Sequence, residues 1–330
     1  MYQILMNGVY DYIITNNSTT FSNPIGMIFG CGNMSDFETY INCKFSRLIC
    51  FDNNSRVLND KDYGAGFIIS KYQSESARRL KYNTLLITCD LSYDITDPLL
   101  ENNLVDNKHI IDSRNNYYLD IIYGRHRVSD IETKKLKRFE NLGVEGVHLI
   151  IGGINILNKV YENEEKLNNF INNISFNLQD QGIFITTFID GFKVCELLNT
   201  LKNNEIYVIK DKSNDESLYE FKPVKDINYE LTDGNITNGI EYLRYIKGLS
   251  SYQTEYAVDS IYLEKLCMEK GLKVIECRTL TDEPSSYYNE VVLLNRDKLG
   301  DKFNSDDLLD YFKMCKTFIL QKDNTLLSDN

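Results

Sequence analysis

The chain has 330 residues, 42% hydrophobic and 25% charged, the balance of an ordinary globular protein and not of a disordered, collagenous or disulfide-stapled one. Acidic residues outnumber basic ones, 48 to 36, for a net charge of -12, which excludes a surface that embraces long nucleic acid and leaves only local contacts with a strand. The eight cysteines form no CxxC pair and the three histidines no zinc spacing, so buried free thiols and no metal are expected.

No apolar run approaches the ~18 residues of a membrane span, and no basic-then-apolar leader opens the chain. A soluble, cytoplasmic protein with no membrane and no DNA partner is therefore the expectation. In chain order, the first buried-strand candidate covers 26–30. It breaks at the glycines of Phe29-Gly30-Cys31-Gly32 and leads into a helix containing Asp36. A second apolar run over 47–52 ends in Asp52, and a third over 84–90 ends in Asp90. The polar stretch 101–146 carries Arg125-His126-Arg127 and Lys134-Lys135-Leu136-Lys137-Arg138, and reads as a charged insertion within one domain spanning 1–330.

Further strands are expected over 147–152 and 182–188. Between them Leu167, Phe170, Ile171, Ile174 and Leu178 recur at helical spacing, which predicts an amphipathic helix over 164–178. The last third holds a helix over 256–270 closed by Gly271, a strand over 272–277 and a helix-to-strand segment over 306–320. Short apolar runs that alternate with helices predict an α/β fold: a mostly parallel sheet with helices on both faces.

Three features carry chemistry. Glycines after the first strand let a backbone approach a bound nucleotide or nucleoside closely. Asp52, about twenty residues on, can accept from both ribose hydroxyls. Asp90, ending the third strand, can accept from an adenine amino group. All three fall on the carboxyl edge, where α/β sheets bind ligands. The competing reading is that Asp52 and Asp90 cap the helices that follow.

Gly30-Cys31-Gly32-Asn33-Met34-Ser35-Asp36, Asp52, Asp90 and the block from Tyr161 to Thr187 together resemble the mRNA cap guanine-N7 methyltransferase family, in a divergent, large-DNA-virus-like form. The most specific part is the segment Asn169 to Leu178, then Gly182-Ile183-Phe184, then Asp190-Gly191. Thr254-Glu255-Tyr256-Ala257-Val258 resembles the Glu-aromatic segment that opens the family's last helix. The resemblance implies a class I (Rossmann-like) methyltransferase fold with a seven-stranded sheet, and S-adenosylmethionine as cofactor. Carried over, Gly30, Gly32 and Asp36 would line its methionine end, Asp52 its ribose and Asp90 its adenine. Glu255 would touch the cap guanine, with Tyr161 as the aromatic beside it and Asn158 in the guanine pocket.

A methylated guanine is cationic and stacks between aromatics, and Tyr252, Tyr256, Tyr287 and Tyr288 lie near Glu255 in sequence. The competing and favoured reading of any single one is a half-buried packing residue. Arg125, Arg127, Lys134 and Lys135 would clamp the cap triphosphate or first nucleotides, or else form a solvated helix face.

Departures from the family pattern are equally informative. An acid is expected two residues before the first glycine, and this chain has Ile28. A glycine is expected after Asn33, and Met34 adds bulk there. Asn158-Lys159 stands in place of a His-Tyr pair, and Asn7-Gly8-Val9-Tyr10 is a vestige of a cofactor-binding N-terminal segment. The reading these departures favour is a catalytically degenerate, methyltransferase-like subunit of a viral capping or translation-initiation assembly. It would recognise the methylguanosine cap of mRNA beside a partner protein. The alternatives are an active cap guanine-N7 methyltransferase and a purely structural scaffold. Asparagine, isoleucine, lysine and tyrosine are abundant and alanine scarce, as AT-rich codons dictate.

Overall fold

The computed structural model describes residues 2–97, 113–129, 134–202, 205–210, 215–224, 239–247, 251–283, 286–294 and 306–327. Eleven strands are described: β1 (Ile25–Phe29), β2 (Arg47–Asp52), β3 (Thr84–Thr88), β4 (Val147–Gly152), β5 (Leu178–Ile189), β6 (Tyr207–Lys210), β7 (Ser217–Pro223), β8 (Glu241–Ile246), β9 (Gln253–Tyr256), β10 (Leu272–Thr279) and β11 (Cys315–Lys322). Seven form one sheet in the order β3-β2-β1-β4-β5-β11-β10, and the other four an antiparallel sheet β6-β7-β8-β9. In the large sheet β11 alone runs against the rest, paired antiparallel to β5 and β10.

The continuous apolar runs have a direct cause, since the central strands are buried on both faces. Met27, Phe29, Ile49, Phe51 and Ile150 face one core, and Ile28, Leu48, Cys50, Leu149 and Ile151 the other. The helix Glu164–Asn177 covers the first face with Leu167, Phe170, Ile171 and Ile174, and the Asn163 side chain caps it by accepting from the Lys166 amide at 2.9 Å. On the second face the helix Tyr2–Ser18 buries Val9, Tyr10, Ile13 and Ile14. All eight cysteines are free thiols, seven buried and Cys277 half-buried.

The described part of 101–146, read as a charged insertion, joins β3 to β4, and its helix Ser113–Ile122 buries Leu119, Ile121 and Ile122 beside Phe139 and Leu142. Residues 101–112 and 130–133 of that stretch lie outside the described residues. The helix expected over 256–270 is divided. Tyr256 ends β9, and a shorter helix, Ser260–Glu269, starts where the Asp259 carboxylate accepts from the Ile261 and Tyr262 amides at 2.9 and 3.1 Å. The helix expected to contain Asp36 begins one residue later, at Phe37. The antiparallel sheet β6–β9 was not expected. Its strands read poorly from sequence because they carry polar residues on one face, such as Glu220 and Lys222 of β7.

Candidate functional site

The large sheet reverses direction of growth at β1, which has β2 on one side and β4 on the other. That is the switch point, where ligands settle outside the carboxyl ends of the strands. The turn leaving β1 is tied to β2: the Gly30 and Cys31 amides both donate to the Phe51 carbonyl at 2.9 Å. The Asp52 carboxylate completes the turn, accepting from the Gly32 amide through Oδ2 and from the Asn54 amide through Oδ1, each at 2.9 Å. Across the switch point the Gly153 amide donates to the Phe29 carbonyl at 2.7 Å. A Cβ on Gly153 would sit 2.4 Å from the Gly30 carbonyl oxygen, so only glycine lets these turns touch.

Two adjoining cavities, of about 190 and 140 Å³, share Gly30, Gly32, Gly153 and Ile154 as their common wall. Asp52, Cys89, Asp90, Ile156 and Lys159 line the first; Asn7, Tyr10, Ile28, Asp36 and Tyr40 line the second. A Cβ at Gly32 (φ +55) would meet no protein atom within 4 Å, so the turn leaves open space for a ligand. Gly30, Gly32, Asp52 and Asp90 thus meet in one chamber, and Asp36 sits in its neighbour. Asp52 is not a helix cap, because Asn54 caps Ser55–Asn59. Asp90 accepts from the Ser92 amide at 2.9 Å and from its hydroxyl at 2.7 Å, both through Oδ1.

Two departures change meaning in three dimensions. Met34 takes the left-handed φ of +60 that suits a glycine, but its side chain is fully buried in the core and lines neither cavity. Its bulk therefore does not press on a ligand. The segment read as a vestige brings Asn7 and Tyr10 into the second chamber, and the Tyr10 hydroxyl donates to the Gly152 carbonyl.

The residues expected around a cap guanine do not form an open pocket. Glu255 is fully buried, ion-paired with Arg244 and accepting from the Tyr242 hydroxyl at 3.0 Å. Asn158 is equally buried; its amide donates to the Ile189 and Tyr256 carbonyls at 2.9 and 3.1 Å and accepts from the Ile189 amide at 2.9 Å. Tyr161 is closed over by its own core, where burial first, then the Asp259 charge, push its phenol well up. Tyr288 packs on Phe312 at 4.8 Å. Of this set Tyr256 alone is half-exposed.

The basic residues are also placed differently from the expectation. Arg125 is held by Asp120 at 2.7 Å and donates to the Thr96 carbonyl at 2.8 Å. Arg127 and Lys134 are exposed, and burial pulls the half-buried Lys135 down. Lys134 and Lys135 adjoin the short 3-10 helix Leu136–Phe139, whose Arg138 bonds Asn83 and Arg47 where β3 and β2 begin. That is the amino edge of the sheet, opposite the crevice.

Strand order, the lone antiparallel β11 and a glycine turn followed by acids at two further strand ends define a class I, Rossmann-like methyltransferase fold. No protein-family model matches the sequence, and no curated protein does. Among solved structures, one S-adenosylmethionine-dependent methyltransferase from Clostridium acetobutylicum is similar over 96% of this chain and 91% of its own, at 11% identity and a TM-score of 0.48. A second, from Listeria monocytogenes, gives 96%, 98%, 9% and 0.47. The glycopeptide N-methyltransferase MtfA in complex with S-adenosylmethionine gives 95%, 93%, 7% and 0.45. The fold assignment rests on the strand order and the switch-point turn, not on these likenesses. Among the described residues no group of three or more His, Cys, Asp or Glu could hold a metal ion, and no helix is long and apolar enough to cross a membrane.

Beside the second chamber, Asp11 gives a first testable consequence. One of its oxygens is buried without a hydrogen-bond partner. Its carboxyl is pushed from an ordinary 3.8 up to about 6, by burial first and by the charges of Asp36 and Glu38, against a hydrogen bond from Thr39. The folded state therefore binds this proton more tightly than the unfolded chain, so stability falls as pH rises between those two values. Asp11→Asn is expected to melt above the wild type at about pH 7.5, with the gap closing below about pH 4. A variant melting below the wild type at neutral pH would contradict this.

Proposed function

We propose that the chain binds S-adenosylmethionine across the two chambers and acts as a methyltransferase. The observation that carries this is the pair of adjoining cavities at the switch point, with Asp52 and Asp90 at successive strand ends on one side of the glycine turn and Asp36 on the other. The donor set fits the cofactor. Asp52 has acceptor capacity beyond its two backbone amides, enough for ribose hydroxyls. Asp90 has an oxygen besides the one Ser92 occupies, for an exocyclic amine. Bound there, the cofactor supplies an electrophilic methyl group on a sulfonium. The chain's own task is alignment and exclusion of water, with Ile154, Ile156 and Val160 as apolar wall.

Titration calorimetry with S-adenosylhomocysteine tests the proposal, and melting should rise with ligand by about 2.7 kcal/mol of added stability at a hundredfold excess over Kd. Absence of both heat and thermal shift would refute it.

For the acceptor, the mRNA cap is the reading the sequence resemblance carries, and the open cofactor chambers favour methyl transfer over cap reading alone. Glu255, Asn158 and Tyr161, which the resemblance gives to the cap guanine in either reading, are buried, so an acceptor guanine would have to be held by other residues. Guanine N7 has a lone pair and no proton, so transfer asks for alignment and no general base. Lys159, exposed at the first chamber, is placed to meet an anionic acceptor. Labelled methyl should pass to unmethylated capped RNA. Tight binding of the methylated cap without transfer would reverse the choice.

A further inference from the structure

The amino edge of the large sheet carries a concentration of positive charge that the crevice does not use. Arg47 opens β2, the strand that Asp52 closes, so this edge lies roughly 17 Å from the first chamber. Three segments meet there: the start of β2, the last turn of the helix Glu75–Tyr82 and the 3-10 helix Leu136–Phe139. The Arg47 guanidinium donates to the Arg138 carbonyl at 2.6 Å, and the Arg138 guanidinium to the Asn83 side chain at 2.7 Å. Arg79, Lys81 and Lys137 stand exposed beside them. Both fixed guanidiniums are thus held by neutral oxygens. Among the described residues none of these cations is ion-paired with a carboxylate. In a chain of net charge -12, cations gathered without paired carboxylates are complementary to an anion from outside.

A ring decides which anion. Tyr82 stands 45% exposed among these cations, with the Arg138 guanidinium 5.0 Å from its ring centroid and Arg79 one turn before it on the helix. The dipole at a helix end accounts for cations in the last turn, but not for a ring left open among them. An exposed ring flanked by guanidiniums is a platform on which an unpaired base stacks, while the cations take the phosphates beside it. An acidic protein segment would match the charge and leave the ring unused.

We infer that this edge is a second binding surface, for the backbone and open bases of a single-stranded nucleic acid. Tyr82 is its stacking residue, and Arg47, Arg79, Lys81, Lys137 and Arg138 are its phosphate contacts. The surface stands independently of the cofactor reading, because none of these residues lines either chamber.

The test is fluorescence anisotropy of labelled, uncapped oligouridylate and its deoxy counterpart with the full chain, between about 50 and 200 mM salt. Arg79→Gln/Lys81→Gln removes two cations, so the slope of log K against log salt should shrink by about 1.4 and affinity near 50 mM salt should fall at least about tenfold. Tyr82→Leu keeps every cation and should weaken binding at least about fivefold with the slope unchanged. All three positions are exposed, so both variants should melt near the wild type and bind S-adenosylhomocysteine as it does. These losses with either strand support the surface, and the ratio of the two affinities separates RNA from DNA as its source. No binding of either strand, or binding that neither variant weakens, overturns the inference. Oligoglutamate of the same length binding as tightly as the strand, and equally well to Tyr82→Leu, would overturn it too and give the surface to an acidic protein segment.

Discussion

Asp52→Ala is expected to weaken S-adenosylhomocysteine binding at least about 100-fold, equivalent to about 2.7 kcal/mol. Two losses combine at this residue. The carboxylate accepts from the Gly32 and Asn54 amides, and at a half-exposed side chain, where water competes, such bonds contribute roughly 0.5–1 kcal/mol each. Removing it releases Gly32 from β2, so the wall common to both chambers loses its fixed shape. It also removes the acceptor proposed for the ribose. Asp52→Asn keeps an acceptor oxygen and should fall between the wild type and the alanine variant. The side chain is half-exposed, so the unliganded melting temperature should drop only slightly. Calorimetry and melting read the two effects separately. An affinity within threefold of the wild type would mean that the ligand neither contacts Asp52 nor depends on the turn it holds.

The parts of the fold that were legible are those whose signal is local. β2 and β4 fall where their apolar runs do, because a strand buried on both faces writes its limits directly into the sequence. The glycine turn, Asp52 and Asp90 were legible for the same reason: each sits at the end of such a run. Gly153 had an available signal, since Gly152-Gly153 closes the fourth run just as Gly30 closes the first, but its pairing with Gly30 is a tertiary fact. Tyr10 had a signal only through the segment Asn7–Tyr10 read as a cofactor-binding vestige, and its bond to a carbonyl 142 residues away is a tertiary fact. Residue-by-residue transfer from the resemblance failed where burial decides the outcome. Glu255, Asn158 and Tyr161 have the side chains a guanine pocket requires, but Glu255 lies within the unforeseen sheet β6–β9 and pairs with its Arg244, Asn158 bonds its Tyr242 and Tyr256, and Tyr161 packs into the core beside Phe188 and Leu263.

That pairing has a measurable consequence at Glu255. Arg244 on β8 and Glu255 on β9 are both almost fully buried and ion-paired. Burial alone would depress the Arg244 guanidinium, but the adjacent Glu255 charge outweighs that and holds it above its ordinary range. Arg244 also donates to the Tyr311 hydroxyl at 3.3 Å, and the Tyr311 ring stacks on Tyr219 at 3.8 Å. Arg244 Nε is already buried without a partner, so loss of the Glu255 carboxylate would leave more of the guanidinium's donors unmet. Breaking such a pair from one side leaves an uncompensated buried charge, at a cost of about 3–5 kcal/mol. Glu255→Gln and Arg244→Met should each lower urea-unfolding stability by that amount. The double variant Arg244→Met/Glu255→Leu should recover most of it, since apolar replacements of a buried pair are often neutral or stabilising. A direct cap contact makes the opposite forecast: Glu255→Gln would fold as well as the wild type and lose only cap affinity. Single variants of unchanged stability would therefore return Glu255 to the ligand, and a strongly non-additive cycle would fix it as the internal partner of Arg244.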